Sequence, residues 1–270
     1  MDGIESAHWK KLPPGADFTD ISDYARPVAH RVVAFLQHRP VSVLAVTTSF
    51  LVAGLLAAAC MVQGSYPGLL VAIVLIQVKN LLDAVDGSLA RARKTPSRLG
   101  RFYDSFCDFL VGAALFASLG YLLARAIGPM AAVIALAAFV SALLQNSLYC
   151  YHTVAHRLAA GGDTTSRLDE RQGIDEDGDW RLRYLLRAYV IIYAWQDALA
   201  ARSDRGAPPG RRPGAFLTAL SVRGLGTQLL ELCVFLAIGR PALYLWFVLV
   251  PMNLYTLGLV LYRKRTSGRG

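Results

Sequence analysis

The sequence is short of charge. Asp, Glu, Lys and Arg together make up 17% of its 270 residues, against 54% hydrophobic residues, and its mean hydropathy is +0.39. So little polar material cannot surround a water-soluble core of this size, and several apolar runs reach bilayer length, which predicts a polytopic membrane protein. Cysteine is scarce too. Cys60, Cys107, Cys150 and Cys233 sit inside or at the ends of apolar runs without CxxC spacing, which marks them as packing residues. No Rossmann glycine pattern, P-loop, HExxH, serine-nucleophile elbow or internal repeat occurs. Residues 1–40 lack the short apolar core of a signal peptide, so the first span is expected to be an uncleaved anchor.

Acids are the scarcer sign, 19 against 28 Lys plus Arg, for a formal charge of +9. In a membrane protein such an excess reports orientation and contact with anionic headgroups rather than nucleic-acid binding. Apolar runs predict six spans, at about 41–63, 67–90, 102–124, 128–151, 219–239 and 241–262. With the N-terminus inside, ARARKTPSRLGR, the long 155–218 segment and RKRTSGRG fall on one side, and QGSYP, the Arg125 turn and the Arg240 turn on the other. Basic residues then collect on the cytoplasmic face, and both termini are cytoplasmic. The expected fold is an all-α integral membrane protein with two accessory helices. One, SDYARPVAHRVVAFLQHRP within the 1–40 segment, is read as interfacial. The other, WRLRYLLRAYVIIYAWQDALAAR, carries Arg181, Arg183 and Arg187 and is read as an amphipathic helix on the inner surface, inside a 157–218 insertion of the 41–262 membrane domain. Residues 263–270 form a basic tail.

Against this background the acids of LDAVDGSLARARKTPSRLGRFYDSFCDF need a reason. An Asp at the centre of a span costs roughly 2.5 to 3.5 kcal/mol on insertion scales, so Asp83, Asp86, Asp104 and Asp108 together point to a functional site. Asp83 and Asp86 are i,i+3 and Asp104 and Asp108 i,i+4, so each pair shares one face of its helix. Pro96 and Gly100 let the chain turn back between them, and the hairpin brings all four together. Four carboxylates at close quarters repel unless a cation compensates them. Hard oxygen donors suit Mg²⁺ or Mn²⁺, and the set has room for two ions.

The pattern Asp86-Gly87-x2-Ala90-Arg91-x8-Gly100-x3-Asp104-x3-Asp108, with Asp83 upstream, resembles the motif of the class I CDP-alcohol phosphotransferase (phosphatidyltransferase) family at every fixed position. The resemblance implies a homodimeric membrane enzyme of phospholipid biosynthesis. Such an enzyme moves a phospho-alcohol group from CDP-diacylglycerol or a similar CDP-alcohol to a small hydroxyl acceptor and releases CMP. It implies Asp83, Asp86, Asp104 and Asp108 as metal ligands, with Asp108 also the base. Gly87, Ala90, Arg91 and Gly100 become nucleotide contacts, the glycines giving close backbone approach and Arg91 meeting a phosphate oxygen. Tight helix packing is the competing explanation for Gly87 and Ala90. Where relatives carry Pro-Asn-x-Val-Thr, this chain reads Pro40-Val41-Ser42-Val43-Leu44 and lacks the Asn and Thr. A magnesium-dependent prenyltransferase would need a second acid-rich cluster on a separate helix. A cation transporter would need repeats or paired broken helices. Neither feature is present in the sequence.

Other residues carry narrower expectations. Lys79, four before Asp83 and next to Asn80, is read as a charge partner for it. His152 and His156, with Tyr149 and Tyr151, either hold an acceptor's phosphate or favour a helix C-terminus at the interface. Arg223, near Thr227 and Gln228, either contacts a substrate anion or snorkels to the surface, and Glu231 must have a partner. Asp175, Asp177 and Asp179 suggest a calcium loop, but Trp180 and Leu186 stand where an EF-hand needs Gly and Glu. The polar run GGDTTSRLDERQGIDEDGDW is expected to be a flexible loop, RSDRGAPPGRRPG a linker, and Pro251 a kink.

Overall fold

A computed structural model describes residues 12–168, 170, 180–205, 210 and 212–267. Asp175, Asp177 and Asp179 lie outside the described residues, as does part of the linker after residue 205. The described chain is all-helical, and six of its segments are long and apolar enough to cross a membrane: Val43–Val62, Tyr66–Ala92, Arg98–Ile127, Met130–Ala159, Gly214–Ala237 and Leu243–Thr266. The helices are α1 (Arg26–Leu36), α2 (Val43–Val62), α3 (Tyr66–Ala92), α4 (Arg98–Ile127), α5 (Met130–Ala159), α6 (Trp180–Ser203), α7 (Gly214–Ser221), α8 (Leu225–Ala237), α9 (Leu243–Phe247) and α10 (Asn253–Ser267). Serine caps open three of the spans: the Ser42, Ser65 and Ser97 hydroxyls accept from the amides of Ala45, Gly68 and Gly100, satisfying donors that no earlier turn can reach.

Small residues bring the spans close. A Cβ at Gly54 would meet Val111 at 2.5 Å and one at Gly120 would meet Ala135 at 2.7 Å, so α2 and α5 each press onto α4 where a side chain is missing. The main core follows, with Met61, Ile76, Leu115, Leu119, Leu236 and Tyr244 at its centre. Helix α1 does more than lie on a membrane surface: its Ala29 and Val33 are buried against Val46, Val85 and Leu89 of α2 and α3. Arg93, just past the end of α3, holds the following turn in place by donating to the carbonyls of Leu36, Gln37, Arg39 and Val41. The cation thereby satisfies carbonyls at the exposed end of α1.

The fifth span departs from the continuous 219–239 helix expected from its apolar run. It breaks at 222–224 into α7 and α8, because neighbouring side chains satisfy the backbone groups that the break frees. Thr227 Oγ1 donates to Ser221 O at 3.1 Å, and Gln228 Nε2 donates to Arg223 O at 3.0 Å. A short turn at Ile21–Asp23 plugs the gap: Ile21 N donates to Ser221 Oγ, and Gly226 N donates to Ser22 Oγ. Pro251 sits in a π-helical turn (Val248–Met252) between α9 and α10.

The plug depends on a missing side chain, since a Cβ on Gly226 would lie 2.0 Å from the Ser22 carbonyl oxygen, whereas one on Gly258 would meet nothing within 4 Å. Gly226→Ala is therefore expected to cost about 2 kcal/mol or more, read as a lower unfolding temperature of the detergent-solubilised protein. Gly258→Ala serves as the control with no steric penalty.

Candidate metal and substrate chamber

The α3–α4 hairpin delivers the acids to one place. Asp83, Asp104 and Asp108 each offer a carboxylate oxygen, all within 4.8 Å of one another. Asp86, one turn along α3, lines the same cavity but is turned to α2, where Thr47 Oγ1 donates to its Oδ2 at 2.7 Å. Thr47 was not singled out from the sequence, where it is one hydroxyl in an apolar run. Lys79 has a larger role than the single pairing expected of it. Its side chain is 1% exposed, and its Nζ donates both to Asp83 Oδ2 at 2.7 Å and to Asp108 Oδ1, bridging α3 to α4. The ring of Phe50 lies 4.6 Å away on the same ammonium.

The acids fit a divalent cation. Their donors are hard oxygens, Asp104 Oδ1 is buried with no hydrogen-bond partner, and Lys79 leaves one oxygen of Asp83 and of Asp108 outside its bridge.

The acids open into a cavity of about 940 Å³ that runs from the hairpin past α5 and α6 to the N-terminal turn. Gly87, Ala90, Arg91 and Gly100 all line it. Packing does not account for either glycine: a Cβ on Gly87 would meet only Arg91 of its own helix, at 3.4 Å, and one on Gly100 only the Ser97 hydroxyl, at 3.1 Å. The bare backbone faces open space, which suits the close approach of a ligand.

Basic residues gather around the same cavity. Arg26, Arg91, Arg101, Arg157 and Arg167 line the cavity together with Asp163. Arg157, at the end of α5, is 7% exposed, and its Nε and Nη2 make no hydrogen bond. Burial pushes the Asp163 carboxyl up, but hydrogen bonds from Thr165 and the nearby Arg157 and Arg91 guanidiniums outweigh it and hold it below its ordinary range. The loop after α5 is not free in its described part. Glu170 accepts from Arg101 and from the Arg167 amide, and Arg98 lies 3.6 Å from its other oxygen.

Three sequence candidates leave the site. Arg223 is 0% exposed and absent from the cavity wall; it donates to Glu231 and to Gln145 Oε1, and the ring of Tyr255 lies 5.6 Å from its guanidinium. It neither binds a substrate anion nor snorkels. It is the partner that Glu231 required, because the break in the fifth span turns it inward. His156 is likewise structural: its Nδ1 accepts from the Arg212 amide, so its Nε2 carries the proton and donates to Ala16 O at 2.9 Å. His152 is buried edge-on against Phe216. Neither histidine lines the cavity, whereas Tyr149 and Tyr151 do.

Fold and site together define a six-span helical membrane protein with an acid-lined polar chamber at the hairpin of its second and third spans. Residues 40–166 match the CDP-alcohol phosphatidyltransferase family. The match covers α2 to α5 and the start of the following loop, and leaves out α6 to α10. No curated protein matches the chain.

The Lys79 bridge makes a direct prediction. Lys79→Met leaves Asp83 and Asp108 facing each other without their shared cation. In metal-free buffer this is expected to cost roughly 3 kcal/mol, since both acids keep some exposure and removing one partner of a fully buried pair costs more. Thermal unfolding in the presence of a chelator measures it.

Proposed function

We propose that this protein transfers a phosphatidyl group from CDP-diacylglycerol, or a similar CDP-linked alcohol, to a hydroxyl acceptor that itself bears a phosphate, releasing CMP. The acid constellation on the α3–α4 hairpin, inside a cavity that also presents bare glycine backbone and a guanidinium wall, carries this reading. Asp83, Asp86, Asp104 and Asp108 would hold Mg²⁺ or Mn²⁺, one ion or two. Bound there, the metal supplies positive charge where negative charge develops on the departing CMP.

Every other part of the reaction falls to side chains. Gly87, Ala90 and Gly100 keep one wall low enough for the nucleotide to lie against the backbone, and Arg91 is placed for a phosphate oxygen. Asp108 takes the proton of the acceptor hydroxyl. The acceptor oxygen bonds to the lipid-side phosphorus as the bond from that phosphorus to the bridging oxygen breaks, and CMP carries that oxygen away. Lys79 holds one oxygen of Asp108 and leaves the other for this work. Arg157, a buried guanidinium with unused donors on the cavity wall, supports a phosphate on the acceptor and thereby favours a glycerol phosphate or inositol phosphate over serine or choline. The loop charges described above support a chamber that opens to the cytoplasmic side. Homodimerisation is supported by the family resemblance alone.

Purified protein given labelled CDP-diacylglycerol, Mg²⁺ or Mn²⁺ and a panel of alcohols is expected to release CMP only when an acceptor is added. Asp→Asn changes at 83, 86, 104 or 108 should each abolish that release. Retained turnover in all four variants would rule the mechanism out. Arg157→Gln is expected to raise KM for a phosphate-bearing acceptor at least tenfold, the scale of roughly 1.5–3 kcal/mol for a hydrogen bond to a charged group, with KM for the donor unchanged.

A further inference from the structure

Helix α6 lies outside the matched segment, yet it forms part of the reaction chamber. Its inward stripe is Leu182, Leu186, Tyr189, Tyr193, Gln196 and Ala200, spaced alternately four and three residues apart. Leu182 and Leu186 are buried against Phe102 of α4, and Tyr189 packs on the same ring at 5.1 Å. Tyr193 Oη donates to the carbonyl of Ser105, the residue after Asp104, at 3.0 Å. Further along, Ser147 of α5 donates to Gln196 Oε1 at 2.7 Å. These contacts lay α6 across the groove between α4 and α5, beside the acids. Three of its side chains, Tyr189, Tyr193 and Asp197, line the cavity that contains Asp83, Asp86, Asp104 and Asp108.

The chamber is polarised. The nucleotide's wall is the α3–α4 hairpin with Gly87, Ala90, Arg91 and Gly100, so α6 faces the space left for the other substrate. Asp197 is the carboxylate that α6 contributes to the wall, and the Tyr189 hydroxyl donates to it at 3.5 Å. A carboxylate here repels a phosphate and accepts from hydroxyls. Arg157 on another wall does the reverse.

Resting on the phosphotransferase reading above, we propose that α6 is the acceptor-selecting wall of the chamber, with Asp197 receiving the hydroxyls of a phosphorylated polyol whose phosphate is turned toward Arg157. The polyol is thereby held with a free hydroxyl toward Asp108. An acceptor with a single hydroxyl has nothing left for Asp197 once that hydroxyl is presented to the base.

The test compares wild type and Asp197→Asn, both in full-length protein with CDP-diacylglycerol and divalent metal, on glycerol phosphate, inositol phosphate and hydroxyethyl phosphate. The asparagine variant is expected to raise KM for the two polyol phosphates roughly tenfold. Its KM for hydroxyethyl phosphate and for the donor should move far less. A uniform rise across all three acceptors, no change at all, or a change confined to the donor overturns the assignment to α6. Wild-type protein that releases no CMP with any acceptor overturns the underlying phosphotransferase reading instead, so the two failures are separate. Gln196→Met, which lies off the cavity wall and loses the hydrogen bond that ties α6 to Ser147 of α5, controls for packing: it should retain the polyol preference, and loss of that preference would return the effect to helix position and overturn the role of Asp197.

Discussion

The structure depends on the price of carboxylates beside lipid. Four aspartates on adjacent spans could not persist as an uncompensated cluster, and the chain answers with a lysine from one turn earlier on the same helix. Lys79 ties Asp83 to Asp108 and therefore α3 to α4. The Thr47 hydroxyl does the same for Asp86 from α2. Three spans are thus held at the depth of the acids by polar contacts and pressed together by missing side chains, as at Gly54. The electrostatic demand of the site and the mutual fit of the helices are satisfied by the same geometry.

The second polar problem is the break in the fifth span, solved by long-range contacts. An interrupted helix exposes carbonyls that lipid cannot satisfy. Thr227 and Gln228 reach back to them from the next turn, while Ser22, about two hundred residues away in the sequence, fills the opening. The break also turns Arg223 inward onto Glu231 and Gln145 rather than out to the surface. The charge pair joins the two halves of the fifth span, the bond to Gln145 ties that span to the fourth, and Leu225, Gly226 and Gln228 beside them line the chamber.

These two cases show what the sequence made legible. The aspartates could be read because helical spacing is a local rule: i,i+3 and i,i+4 fix which side chains share a face, and Pro96 and Gly100 fix that the chain turns. The spans could be read because bilayer length is a local rule as well. The break at 222–224 could not, since the run from 214 to 237 is apolar enough throughout and Ile21 and Ser22, which fill the opening beside the local bonds of Thr227 and Gln228, come from the N-terminal segment. His156 failed for the same reason. Its spacing from His152 suggested either a contact to an acceptor's phosphate or a basic helix end, but its two ring nitrogens are engaged by Ala16 and Arg212, far away on either side in sequence. Thr47 gave no signal, because a hydroxyl in an apolar helix commonly bonds its own backbone, as it also does here to Val43 O.

Helix α6 illustrates how a chamber of this kind is finished. Its inner face carries Tyr189, Tyr193, Gln196 and Asp197, while Ile191, Trp195 and Leu199 are exposed on the outside. Arg181, Arg183 and Arg187 are exposed on its first half beside Trp180 and Tyr184. Its place against α4 and α5 is set by Leu182 and Leu186 packing on Phe102 and by the bonds of Tyr193 and Gln196, so it cannot leave the bundle without the cost of unpairing Gln196 from Ser147. A wall held by that cost is rigid, and a rigid wall can discriminate between acceptors by where it places one carboxylate.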